Sequence, residues 1–225
     1  MVSGCVTTQT TRDTSAANLP NPLLNASYTA DADNAFVMTP ATVGKKAGKV
    51  SFASESASRR TRDMAHWIVS TGDNVNMPFA IVDKVNAKVY VFNADGKFFG
   101  AAPVLLGIGI GDHTPVGAGS KPMSQIPVKD RTTPAGRFVS VMGRNHKGKD
   151  ILWVDYDQAL SMHAVVRGTA RDRRAERLAS PTPTDNRISF GCINVPTNFF
   201  NEMIKGKFSG AGGVVYILPE SNRLG

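Results

Sequence analysis

The chain has 225 residues, 41% of them hydrophobic, with 26 Lys and Arg against 18 Asp and Glu for a formal net charge of +8. That length buries one sizeable core, and one domain is favoured over two small ones. No apolar run approaches membrane-spanning length, two cysteines cannot build a disulfide framework, and there is no zinc-finger spacing, RNA-binding aromatic motif or helix-turn-helix. The positive charge therefore points to polyanions without selecting nucleic acid.

Residues 1–63 are rich in Thr, Ser, Ala, Asn and Gly and include Ala53-Ser54-Glu55-Ser56-Ala57-Ser58. With so little apolar periodicity the segment buries too little to offset its ordering entropy, and it reads as a flexible tether ahead of a folded domain at 64–225. Val2-Ser3-Gly4-Cys5 resembles a lipobox, in which small residues precede a cysteine that becomes lipidated. No basic and apolar export signal precedes it in this chain, and a chance match of four residues in a tail is the alternative.

From Pro78 the pattern changes to short β-branched and aromatic runs. Phe79 to Asp83, Ala87 to Phe92 and Phe98 to Leu106 read as successive strands, with Asn93-Ala94-Asp95-Gly96 as a hairpin turn. Gly107 to Arg131 is rich in Gly and Pro and reads as a long functional loop near a site. Thr133-Pro134-Ala135-Gly136 forms a turn into a strand from Arg137 to Met142. Ile151 to Asp155 and Leu160 to Ala164 are further strands. Arg171 to Ala179 has helical composition, Ser180-Pro181-Thr182-Pro183 breaks it, and Thr197 to Lys205 is a short helix with Phe199, Phe200, Met203 and Ile204 on its apolar face. Val214 to Leu218 closes the domain as a strand.

Chemistry concentrates in Arg187-Ile188-Ser189-Phe190-Gly191-Cys192-Ile193-Asn194, which holds the only cysteine outside the extreme N-terminus. Gly191 leaves room for a carbonyl group to reach the sulfur and the neighbouring backbone amides. Upstream, Ser161-Met162-His163-Ala164 supplies an imidazole at a strand end, and a cysteine with a histidine in reach is the minimal set for thiolate catalysis. Taken singly, Cys192 also fits a small buried hydrophobe and His163 a satisfied core histidine.

Thr133-Pro134-Ala135-Gly136-Arg137-Phe138, then His163, then Ser189-Phe190-Gly191-Cys192-Ile193-Asn194 resembles, in residues and in order, the L,D-transpeptidase catalytic-domain family over residues 78 to 219. Two departures stand out. Phe190 occupies the position where the family most often carries a second histidine, and the interval from His163 to Cys192 is longer than usual and rich in arginine.

The resemblance implies a mainly β, antiparallel, sandwich-like catalytic fold with short helices. It implies Cys192 as nucleophile and His163 as base, with the carbonyl of Ala164 holding the imidazole in one tautomer and the amides around Gly191 and Cys192 forming an oxyanion hole. Ser189 and Asn194 then support the loop, although ordinary turn hydrogen bonding explains them equally well. Arg187, Phe190, Arg173 and Arg174 are candidates to meet the substrate, while a solvated helix face accounts for most arginines of the insertion. The implied substrate is a peptidoglycan tetrapeptide stem, its acyl group passed through a thioester to an amine, with no cofactor and no metal. An L,D-carboxypeptidase using water and a non-catalytic wall-binding lipoprotein are the alternatives. The implied setting is the cell envelope on the periplasmic side, with membrane attachment only through a lipidated Cys5.

Overall fold

An apolar run becomes a strand buried on both faces only where the fold covers both, and that condition is met first at Phe79-Ala80-Ile81-Val82. In the computed structural model, which describes residues 50–115, 117 and 121–220, β1 (Phe79–Asp83) and β2 (Lys88–Phe92) form a hairpin that continues into β3 (Phe98–Pro103). Pro103 ends that strand, and the predicted run to Leu106 is completed by a separate short strand, β4 (Leu106–Gly107). β5 (Gly136–Arg144), β6 (Asp150–Asp155) and β7 (Leu160–Ala164) form a meander; β8 (Arg187–Ser189), β9 (Ile193–Val195) and β10 (Gly213–Leu218) follow.

The chain is mainly β, built on one eight-stranded sheet ordered β3-β2-β1-β10-β5-β6-β7-β9, with β4 and β8 paired separately. The antiparallel expectation holds for the hairpins but not for the whole. β1 runs parallel to β10, β7 to β9 and β4 to β8, so the sheet is mixed. These pairings join strands far apart in sequence, which local turn chemistry does not report. Residues 136–140 of β5 pair with β10 and residues 141–144 with β6, so one strand serves both halves of the sheet. Val82, Val89 and Val215 from one half share a core cluster with Leu152, Val154 and Met162 from the other, which gives the fold its sandwich-like character.

That cluster is completed by a helical segment spanning 197–208: α-helical at Thr197–Phe199, π-helical at Phe200–Lys205 and α-helical again at Gly206–Phe208. Phe200, Ile204 and Phe208 are buried in the cluster. The opposite face of β1, β2 and β10 is covered by α1 (Arg59–Thr71), which buries Met64, Ala65 and Ile68. Ser58 caps α1 by accepting from the Thr61 amide at 3.1 Å, and Gly72, at φ 70°, ends it in the left-handed turn.

The domain start expected at 64 is displaced by this packing. Val50, Phe52 and Ala57 are buried in the α1 core, with the Phe52 ring centroid within 5.9 Å of those of Tyr90, Phe92 and Phe98. The Tyr90 hydroxyl donates to the Ser56 carbonyl at 2.8 Å. The segment carries too few apolar residues to show a period, yet Phe52 is placed against β2 and β3 and Val50 and Ala57 join the same core, so the folded unit reaches back at least to Val50. Cys5 and its lipobox lie outside the described residues. No helix among the described residues is long and apolar enough to cross a membrane.

Candidate active site

The site forms where β7 and β9 run side by side. Their register sets Met162 against Ile193, His163 against Asn194 and Ala164 against Val195, which brings the residues just before β9 level with the start of β7. Side chains alternate along a strand, so Ser161 and His163 share one face. The imidazole and the sulfur of Cys192 shift each other's titration.

His163 Nδ1 stands 2.8 Å from the Ala164 carbonyl. A carbonyl only accepts, so Nδ1 carries the proton and Nε2 is left for the sulfur. Burial pushes the imidazole down, but its interaction with Cys192, its hydrogen bond to the Ala164 carbonyl and the charge of the sulfur outweigh it, and the net direction is up. Arg174 opposes that rise through its nearby positive charge. Burial pushes the Cys192 thiol up; the hydrogen bonds from His163 and Ser161 together with the charge of His163 prevail, and its pKa falls below the ordinary thiol value. Opposite shifts on a thiol and an imidazole favour the thiolate–imidazolium form of the pair.

Two further atoms meet the sulfur. Ser161 Oγ donates to Sγ at 3.5 Å, and Sγ lies 3.6 Å from the Ala159 carbonyl oxygen. Neither Ser161 nor Ala159 was singled out from sequence, although the two-residue period of the strand puts Ser161 on the face of His163.

Gly191, at φ 127°, turns the chain into Cys192, and a Cβ there would sit 2.7 Å from the Thr132 carbonyl oxygen. Both the backbone angle and the close approach therefore require glycine. The loop is tied down on three sides. Thr133 Oγ1 donates to the Gly191 carbonyl at 2.7 Å, Ser189 Oγ donates to the Cys192 carbonyl at 2.7 Å, and Asn194 Nδ2 donates to the same carbonyl at 3.1 Å. The Gly191 amide, expected in an oxyanion hole, is already donated to Ser189 Oγ at 3.1 Å. Thr133, from the turn segment, thus serves the cysteine loop directly, and Arg131, at the end of the long loop, lies against Phe190.

The candidate substrate residues separate. Arg174 is largely buried: its guanidinium donates to Asn194 Oδ1 at 3.0 Å and pairs with Asp172 at 3.3 Å. Arg173 is exposed and pairs with Glu176. The expected helix from Arg171 splits at Arg173, whose left-handed φ of 48° divides a 3-10 turn (Ala170–Asp172) from α2 (Arg174–Ala179) and aims the two neighbouring arginines apart. Arg187 is engaged elsewhere, with Glu220 at 2.9 Å and with the Lys84 and Gly107 carbonyls. Phe190 is 38% exposed two residues before Cys192, with the Arg131 guanidinium 4.1 Å from its ring centroid. Among the described residues no group of three or more His, Cys, Asp or Glu side chains could hold a metal ion.

No family model matches the chain, and no curated protein does. Among solved structures it is similar to an LD transpeptidase, LdtMt1, in complex with imipenem, at 12% sequence identity and a TM-score of 0.32, covering 63% of this chain. The chain spans 58% of the length of that structure.

Proposed function

We propose that this chain is a cysteine-dependent L,D-transpeptidase that acts on peptidoglycan tetrapeptide stems in the cell envelope. The observation that carries the reading is the Cys192–His163–Ala164 array, in which the imidazole is fixed by a backbone carbonyl and faces a sulfur whose pKa is lowered. Charge and reactivity follow directly. The Cys192 thiolate attacks the carbonyl carbon of the scissile amide, and the electron pair moves onto the oxygen. Because Gly191 N–H is committed to Ser189, the Cys192 amide is the donor this turn offers to that oxyanion.

When the intermediate collapses, the C–N bond breaks, the leaving D-alanine takes the proton from His163 Nε2, and a thioester remains. An amine from a second stem then attacks the thioester, gives its proton to His163, and releases the thiolate. No third catalytic side chain is needed, since Ala164 supplies its backbone. Attachment through a lipidated Cys5 belongs to the same proposal.

The test is intact-mass spectrometry after exposure to a carbapenem, followed by peptide mapping. A covalent adduct on Cys192 that disappears in Cys192→Ala is the expected result. Absence of any adduct at millimolar drug would remove the acyl-transfer reading and leave a binding module. Product analysis on disaccharide-tetrapeptides then separates cross-linking from hydrolysis.

A further inference from the structure

The sulfur of Cys192 has more neighbours than a cysteine and histidine pair requires. Ser161 offers it a hydroxyl at 3.5 Å, whereas the Ala159 carbonyl at 3.6 Å can only accept. The two sets suit different protonation states. A thiol has a proton to give and finds Ala159; a thiolate has only lone pairs and finds Ser161 and His163.

Local structure aims both groups. Ala159 has φ 53°, a left-handed value uncommon for a residue with a Cβ. It is held there by the β6–β7 turn, where its amide donates to the Tyr156 carbonyl at 3.1 Å and Asp155 Oδ1 accepts from the Gln158 amide at 3.1 Å. This places strain beside a reactive atom, where a surrounding hydrogen-bonded turn maintains it. Ser161 is 5% exposed on β7, its side chain on the same face as His163, and its hydroxyl has no nearer partner than the sulfur among the described residues.

We propose that Ser161 is a third member of the nucleophile site, its hydroxyl holding the Cys192 sulfur as an anion, with the Ala159 carbonyl holding it as a thiol. The proposal rests on the reading of Cys192 as the nucleophile. The charged groups that face the pair are His163 on β7 and Arg174 on α2, the latter paired with Asp172; β9 contributes the neutral Asn194. Ser161 therefore acts beside His163 and not through another ion. Because a hydroxyl cannot take the imidazole's place as proton acceptor, its loss weakens the anion without abolishing it.

The experiment follows the rate of iodoacetamide alkylation of the full chain against pH, read on the tryptic peptide 188–205 so that Cys5 does not contribute. Ser161→Ala is expected to raise the midpoint by about one pH unit, which is ~10-fold slower alkylation below both midpoints. An unchanged midpoint in a variant with wild-type circular dichroism would overturn the proposal. Ser161→Thr and Ser161→Val repeat the comparison at equal volume: the threonine variant should keep the lower midpoint and the valine variant should not. Equal midpoints in that pair overturn it even where the alanine variant fails to fold. Alkylation needs no wall substrate, so failure of carbapenem acylation alone would sink the transpeptidase reading and leave this result standing.

Discussion

Around β1 and β10 the chain places apolar side chains on both faces, Phe79, Ile81 and Tyr216 toward α1 and Ala80, Val82 and Val215 toward the helical segment at 197–208. At the β7–β9 edge, by contrast, Ser161, His163, Ser189, Cys192 and Asn194 are joined by hydrogen bonds to named partners. Hydrophobic burial is non-directional and adds up over area, so the first region tolerates small shifts and fails when volume is removed. The second depends on direction, so a single missing donor changes its chemistry while the fold stands. Stability and reactivity are therefore located in different places, and substitutions should separate them.

The largest effect expected is on chemistry with none on folding. Cys192→Ala should abolish acylation and leave the melting temperature within a few degrees of wild type, checked by intact mass and calorimetry; residual acylation would break the contrast. His163→Ala should slow thiol alkylation at neutral pH by about 100-fold or more. The sign follows from the shifts. Cys192 is lowered, so the wild-type thiolate persists below the ordinary thiol range and is lost as pH falls through its folded value. His163 is raised, so the imidazolium persists above the ordinary imidazole range and is lost as pH rises through its own folded value. Acyl transfer should fall on both sides, alkylation on the acid side only. Without the imidazole, burial of Cys192 moves the alkylation midpoint upward.

The converse experiment belongs to the α1 core. Phe52→Ala should cost about 3–5 kcal/mol by denaturant unfolding and leave the alkylation midpoint of the folded fraction unchanged. A chain beginning at Met64 loses Val50, Phe52, Ala57 and the Ser58 cap together, and it should melt well below the full chain. Equal melting temperatures would show that the segment at 50–63 adds nothing to the core.

Smaller effects sharpen the boundary between the two regions. Arg174→Gln removes the charge-assisted bond to Asn194 and the positive charge near His163, which should slow carbapenem acylation by about 10-fold and raise the imidazole midpoint followed by NMR. Arg173→Gln breaks only an exposed pair with Glu176 and should change stability and acylation rate by less than about 0.5 kcal/mol. If the two variants behaved alike, the insertion would act through its net charge and not through its docking on Asn194.

What the sequence disclosed follows the same division. Strands such as β1, β2 and β10 were legible because their apolar runs are flanked by turn residues, and the short helix at 197–205 because its aromatic residues recur at helical spacing. Its π-helical turns leave no such mark. α1 went unread: its apolar face rests on three buried positions within a polar composition, and only Ser58 and Gly72 at its ends signal it. Cys192 and His163 stood out by residue type and order. Ser161, Ala159 and the bond from Arg174 to Asn194 did not, because they depend on the parallel pairing of β7 with β9 and on a left-handed turn, and neither is encoded by local periodicity.

The position of β10 has a consequence for how the protein is made. It is the last strand in chain order among the described residues, yet it lies between β1 and β5, and every residue of it is buried. While residues 213–218 are still within the ribosome, β1 lacks its parallel neighbour and the first half of β5 lacks its β10 partner. The nascent chain must therefore hold two unfinished sheet edges apart until β10 emerges, a period in which unpaired strands invite aggregation. Chains terminated before Gly213 would lack this strand and leave β1 and the first half of β5 as unpaired edges.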